Sequence, residues 1–154
     1  MNYLNKSRYF ELVAKDKKLE TKGTSLYYEN RSEYHELLSY RIILEEQVFY
    51  ENRFQYIDLI KKYMDGKINC YTFQWDFFDL YHSHRKISNK FIENLNQSGI
   101  SSNISFSKNS KRENFSLLVE EMVPLCDALD DGLTENRFDL EIKKIYSDIK
   151  KIIN

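Results

Sequence analysis

The chain has 154 residues, 23 basic and 24 acidic, and a formal net charge of −1. That length is near the commonest size of one domain, so neither a disulfide nor a metal is needed for folding. The charge balance argues against a general nucleic-acid binder, which carries an overall basic footprint. Four glycines and one proline in the whole chain argue against a sheet with many tight turns and for long helices.

In chain order, a first helix is expected over residues 3–20, with Tyr3, Leu4, Phe10, Leu12, Val13 and Leu19 as its apolar set. Thr21 to Ser25, containing Gly23, reads as a loop. Ser32 to Met64 holds no glycine or proline. Ser32 suits an N-cap, and Tyr34, Leu38, Ile42, Phe49, Tyr56, Leu59, Ile60 and Tyr63 follow at near-helical spacing. This stretch is one long helix or two, with a break near Tyr50 to Arg53. Asp65-Gly66 ends it, the glycine suiting a left-handed cap.

Thr72 reads as the N-cap of the clearest periodic segment. Phe73, Phe77, Leu80, His84, Ile87, Phe91 and Leu95 fall at alternating steps of three and four, one stripe of a helix. Ser98 to Arg112 is polar, Ser/Asn-rich and basic, and reads as a loop. A third strong helix is expected from Asn114 to Leu129, buried through Phe115, Leu118, Val119, Met122, Leu125, Cys126 and Leu129. Pro124 inside it predicts a kink or a restart. Asp130-Asp131-Gly132 is a stop. Thr134 to Arg137 leads into a last helix, Phe138 to Ile153, with Leu140, Ile142, Ile145, Ile149 and Ile152 inward. The expectation is an all-α fold: an antiparallel bundle of four or five helices. It forms a single helical domain over 1–154, with a helical extension over 1–50 before a bundle over 52–153.

The N-terminal segment mixes charge with apolar residues and lacks the apolar core of a signal peptide. No stretch approaches the roughly 18 apolar residues that cross a bilayer. Cys70 and Cys126 form no CxxC pair, which fits a reducing compartment. The expected location is therefore cytoplasmic, or an equivalent such as an organelle stroma. An AT-rich genome would by itself raise Lys, Asn, Ile, Tyr and Phe, which dilutes a functional reading of the aromatics.

Candidate chemical motifs fail on geometry. His82 and His84 are two apart and point about 200° apart on a helix, so they share no ion easily. His84 lies on the apolar stripe and reads as a hydrogen-bonded core residue. Asp127, Asp131 and Gly132 suggest a calcium loop. With Gly132 at its invariant glycine, however, Leu129 and Phe138 fall where oxygen ligands are required. GxSxG, GxxxxGK[ST] and GxGxxG are absent. Cys126 sits on an apolar stripe, where a buried inert thiol is the ordinary case. No metal, no cofactor and no enzyme activity are expected.

One feature rises above this background. Between Glu113 and Glu141 lie nine carboxylates opposed only by Arg137, a net of −8 in a chain of −1. The rest of the chain therefore carries +7. The ordinary reading is solvated helix faces, with Asp139 and Glu141 favoured by the helix dipole. The sharper reading is a directed acidic surface for a basic protein partner, made by Glu120, Glu121, Asp127, Asp130, Asp131, Glu135 and Asp139.

The order of features after Asn52 resembles the colicin-D-type bacterial immunity proteins, which are small helical bundles. The residues that carry the likeness are Tyr56 to Ile68 (YIDLIKKYMDGKI), a helix closed by a glycine turn. A helix opening on an aromatic pair follows, Thr72 to Phe78 (TFQWDFF). The third acidic helix and its turn, Leu117 to Asp131, and the closing helix, Phe138 to Ile152, are also similar. The resemblance implies a protein that plugs the active site of a cognate RNase or tRNase toxin. Such a toxin is basic because it holds RNA phosphates, and an acidic bundle face imitates those phosphates. The competing expectation is a non-catalytic structural or assembly subunit of a larger complex, organelle-encoded. Tyr71, Trp75 and Phe78, off the main stripe, would then be docking anchors.

Overall fold

The computed structural model describes residues 5–93, 106 and 108–153, with the side chains of 89–93 left aside. Helix accounts for 85% of the described residues, in seven segments, with no strand among them. The all-α expectation therefore holds. The segments are α1 (Lys6–Glu20), α2 (Leu26–Glu29), α3 (Arg31–Glu51), α4 (Arg53–Met64), α5 (Cys70–Glu93), α6 (Ser110–Asp130) and α7 (Glu135–Ile153). None of the described helices is long and apolar enough to cross a membrane.

The Ser32–Met64 stretch is two helices, broken at Asn52, whose side-chain amide donates to the Val48 carbonyl (2.8 Å). Two caps differ from the sequence reading, and for one reason. Ser32 and Thr72 already lie inside helices. The oxygen that accepts from the first turn belongs instead to an asparagine upstream: Asn30 takes the Glu33 amide (3.1 Å) and Asn69 the Thr72 amide (2.8 Å). Asparagine is at least as good a cap as serine or threonine. Likewise Asn109 caps α6, accepting from the Lys111 and Arg112 amides, so the helix begins inside the predicted loop. Positions 98–105 and 107 of that loop lie outside the described residues, as do Tyr3, Leu4 and Leu95. Gly66 and Gly132 take positive φ, 73° and 94°, where each ends its helix. The α6 helix runs through Pro124 without a restart. α7 begins at Glu135, three residues earlier than expected, with the Arg137 amide donating to Thr134 Oγ1 (3.3 Å).

The chain divides into two compact units: Met1–Glu45 with Ile87–Lys108, and Glu46–Lys86 with Asn109–Asn154. The division falls within α3 and within α5. The first unit closes around Tyr9, Leu12, Leu26, Leu37, Tyr40, Leu44 and Phe106. Tyr40 and Phe106 meet edge-on with ring centroids 4.9 Å apart, and Tyr9 lies 5.4 and 5.2 Å from them. A polar network lies on the same unit. Arg8 donates to both Glu36 oxygens (2.8 and 2.9 Å) and to Glu11 (2.9 Å), Lys15 pairs with Glu33 (2.6 Å), and Arg41 lies 3.8 Å from Asp16.

The second unit has an aromatic core. Phe49, Tyr56, Phe73, Phe77, Phe115 and Phe138 are all buried. Phe73 stacks parallel to Phe77, and Tyr81 is stacked between Phe77 and Phe49 at 5.7 Å from each. Burying one such side chain contributes about 1.5–3 kcal/mol. α7 packs on α6 and on α4 through Phe138, Ile142, Ile145 and Ile149.

Several positions of the expected apolar sets face water instead of the core, Phe10 of α1 (37% exposed) among them. Ile42 is 56% exposed, because α3 buries Leu37, Tyr40, Ile43, Leu44 and Val48 one position round the helix. Ile87 is 38% and Leu140 66% exposed. Leu80 and Leu125 are half-buried. The side chain of Phe91 is outside the described residues.

Candidate binding site

α5 and α6 are tied together at two levels. Gln74 Nε2 donates to the Cys126 carbonyl (2.8 Å), a buried bond. Seven residues along α5, the Tyr81 hydroxyl donates to the Glu120 carboxylate (2.9 and 3.1 Å to its two oxygens). Arg85 Nη1 in turn donates to that hydroxyl (3.4 Å). A buried amide bonded to a helix carbonyl is satisfied without disturbing the helix, so it fixes register at little cost. Along these ties the two helices form a groove of about 660 Å³, lined by Trp75, Phe78, Asp79 and His82 from α5 and by Val123, Asp127 and Asp130 from α6, with Gln74, Tyr81 and Arg85 also on its wall.

The α5 face of the groove is a second stripe, at 75, 78, 79 and 82, turned away from the core stripe at 73, 77 and 84. Trp75 is 72% exposed, an unusual surface position for the largest side chain. His82 stacks on Phe78, ring centroids 5.7 Å apart and nearly parallel. The HxH pair is therefore split between faces. His84 is buried, with Nδ1 2.8 Å from the Tyr56 hydroxyl, and burial pushes its pKa down from the ordinary value of 6.5. Cys126 is buried, and burial, with Asp127 adding, pushes its thiol up to about 12. A thiol held so fully protonated is a poor nucleophile.

The seven acidic candidates occupy four places. Asp127 and Asp130 line the α5–α6 groove, and Glu120 is bonded to Tyr81 on the same pair of helices. Glu121 lines a shallower groove of about 410 Å³ between α6 and α7, with Pro124, Arg137 and Glu141. Glu135 and Asp139 lie on the side of α7 near Tyr63, whose hydroxyl is pushed up to about 12 by burial first and then by Asp139. Asp131 is exposed at the turn after α6. Asp130, three residues on, and not Asp131, is the one that shares the groove with Asp127. Sequence reasoning did not single out Asp79, which joins them from α5.

Partners separate these carboxylates further. Asp139 pairs with Lys143 (2.7 Å) and Glu120 accepts from Tyr81. Glu121, Asp127, Asp130, Asp131 and Glu135 have no ion-pair or side-chain hydrogen-bond partner among the described residues, and neither has Asp79. Among the described residues no group of three or more His, Cys, Asp or Glu is placed to hold a metal ion. Comparison with family models, with curated proteins and with solved structures finds no match to this chain.

Proposed function

We propose that this protein binds a basic nuclease toxin domain, an RNase or tRNase, and neutralises it by covering the active site with the acidic surface of α6 and the turn into α7. The observation that carries the reading is the set Glu121, Asp127, Asp130, Asp131 and Glu135, without ion-pair or side-chain hydrogen-bond partners among the described residues, in a stretch of net −8. Carboxylates left without a cation partner raise self-repulsion in the free protein, and of these only Glu135, in the first turn of α7, gains from a helix N-terminus. They are suited to steering and pairing with a cationic surface. A nuclease offers such a surface because its substrate is a polyanion. The likeness of residues 52–153 to colicin-D-type immunity proteins points the same way.

The test is inhibition. A secreted nuclease domain encoded beside this gene, or captured from the native host, is mixed with the protein and its cleavage of RNA followed. Loss of cleavage at a one-to-one ratio supports the reading. Undiminished cleavage at saturating protein overturns it. A second reading, an assembly subunit docked through aromatic anchors, is favoured by the exposure of Tyr71 (56%) and Trp75 (72%). It predicts a stable complex that Trp75→Ala disrupts and charge reversal at Asp131 and Glu135 does not.

A further inference from the structure

We propose that the Trp75 end of the α5–α6 groove reads an arginine side chain of the protein partner, its guanidinium stacked on the Trp75 indole and paired with Asp127 and Asp130. This rests on the acidic-surface reading and names the group that the surface takes.

The placement of the groups carries the inference. Trp75 and Asp79 are four apart on α5 and share a face, while Asp127 and Asp130 are three apart on α6 and share another. All four line the same groove. The bond from Gln74 to the Cys126 carbonyl holds the turn that carries Trp75 against the turn that carries Asp127. The site is therefore built on two helices held in register, and its carboxylates do not depend on loop ordering. None of the three carboxylates is occupied by a cation among the described residues. The carboxylates alone would accept any cation. The indole face is what discriminates. A guanidinium is planar, weakly hydrated and able to stack on an aromatic ring while its edge bonds carboxylates in pairs. A lysine ammonium is compact and strongly hydrated, and it uses the ring poorly. The stacked Phe78 and His82 rings line the same groove and give the stem of the incoming side chain or its neighbour an apolar surface to lie on.

Trp75 is the one tryptophan of the chain, so fluorescence excited beyond tyrosine absorption reports on this site alone. The full-length protein is titrated with a blocked hexa-arginine peptide and with its hexa-lysine counterpart at equal ionic strength. The expected result is a saturable change in emission with hexa-arginine, at an affinity about five- to tenfold above that for hexa-lysine. In Asp127→Asn/Asp130→Asn the hexa-arginine affinity falls by about tenfold or more, with the circular dichroism spectrum unchanged. In Trp75→Phe, followed by calorimetry, the arginine-to-lysine ratio shrinks toward one. Equal affinities for the two peptides, no saturable change, or an unaffected double variant overturns the arginine assignment. Equal peptide affinities that both fall in the double variant leave the acidic-surface reading standing. That reading fails separately, when toxin inhibition survives reversal of the acidic residues.

Discussion

The same residue types are used in opposite ways in the two units. In the first, carboxylates are consumed internally: Glu11, Glu33 and Glu36 surround Arg8 and Lys15, and Asp16 faces Arg41 while accepting the Leu26 amide (2.9 Å). In the second, five carboxylates between Glu121 and Glu135 have no partner among the described residues, above a core of stacked rings. Hydrophobic burial holds the second unit, so its surface charge is released from structural duty. The lesson is that a charge count along a sequence locates acid but not availability, and only availability bears on binding.

The sharpest way to break this contrast is to attack the core that supports the unpaired acids. Phe77 is fully buried between Phe73 and Tyr81. Phe77→Ala should destabilise the protein by about 3–5 kcal/mol, read from denaturant midpoints. A loss below about 1 kcal/mol would mean that the aromatic stack is not what holds this unit.

The next effect belongs to the first unit. Arg8→Ala leaves Glu36 without its cation and Glu33 with Lys15 alone, and should cost about 1–2 kcal/mol after allowance for the partial exposure of Arg8. Asp127→Lys should stay within about 0.5 kcal/mol of wild type. Similar losses for the two variants, measured side by side, would erase the distinction between paired and available charge.

A smaller effect is tied to pH. His84 is buried against Tyr56 and its folded pKa is lowered by burial, so the unfolded chain takes up the proton first. Stability from this residue is complete above about pH 6.5 and is lost as pH falls below that value, at no more than about 1.4 kcal/mol per pH unit. His84→Gln should flatten the slope of unfolding midpoint against pH between about 6.5 and 5. An unchanged slope would assign it to other groups.

The core of the second unit was legible because its stripes are pure. Phe115, Leu118, Val119, Met122, Cys126 and Leu129 recur at helical spacing and all are buried, while Leu125 of the same expected face is half-buried. α3 misled because apolar residues occur all round it. Tyr34, Leu38 and Ile42 make as good a stripe as Leu37, Tyr40 and Leu44, and only packing chooses between them. The Arg8–Glu36 and Lys15–Glu33 pairs span 28 and 18 residues, and the Gln74–Cys126 tie spans 52. No local pattern encodes such distances. The groove did leave a trace that could have been read: Trp75, Phe78, Asp79 and His82 form a second helical stripe opposite the core face. Taken with Asp127 and Asp130 one turn apart, it marks a mixed aromatic and acidic surface.

The central claim is that unpaired carboxylates on this surface bind a basic partner, and one titration tests it most directly. The partner nuclease domain is bound to wild type and to the Asp127→Lys/Asp131→Lys/Glu135→Lys variant at low and at high salt. The account predicts that wild-type affinity falls as salt rises, because the attraction is screened over about 8–10 Å at ordinary ionic strength. It predicts that the variant, folded as wild type, loses about 2–5 kcal/mol for each pair buried at the interface. Binding by the variant as tight as wild type, or a wild-type affinity indifferent to salt, would contradict it.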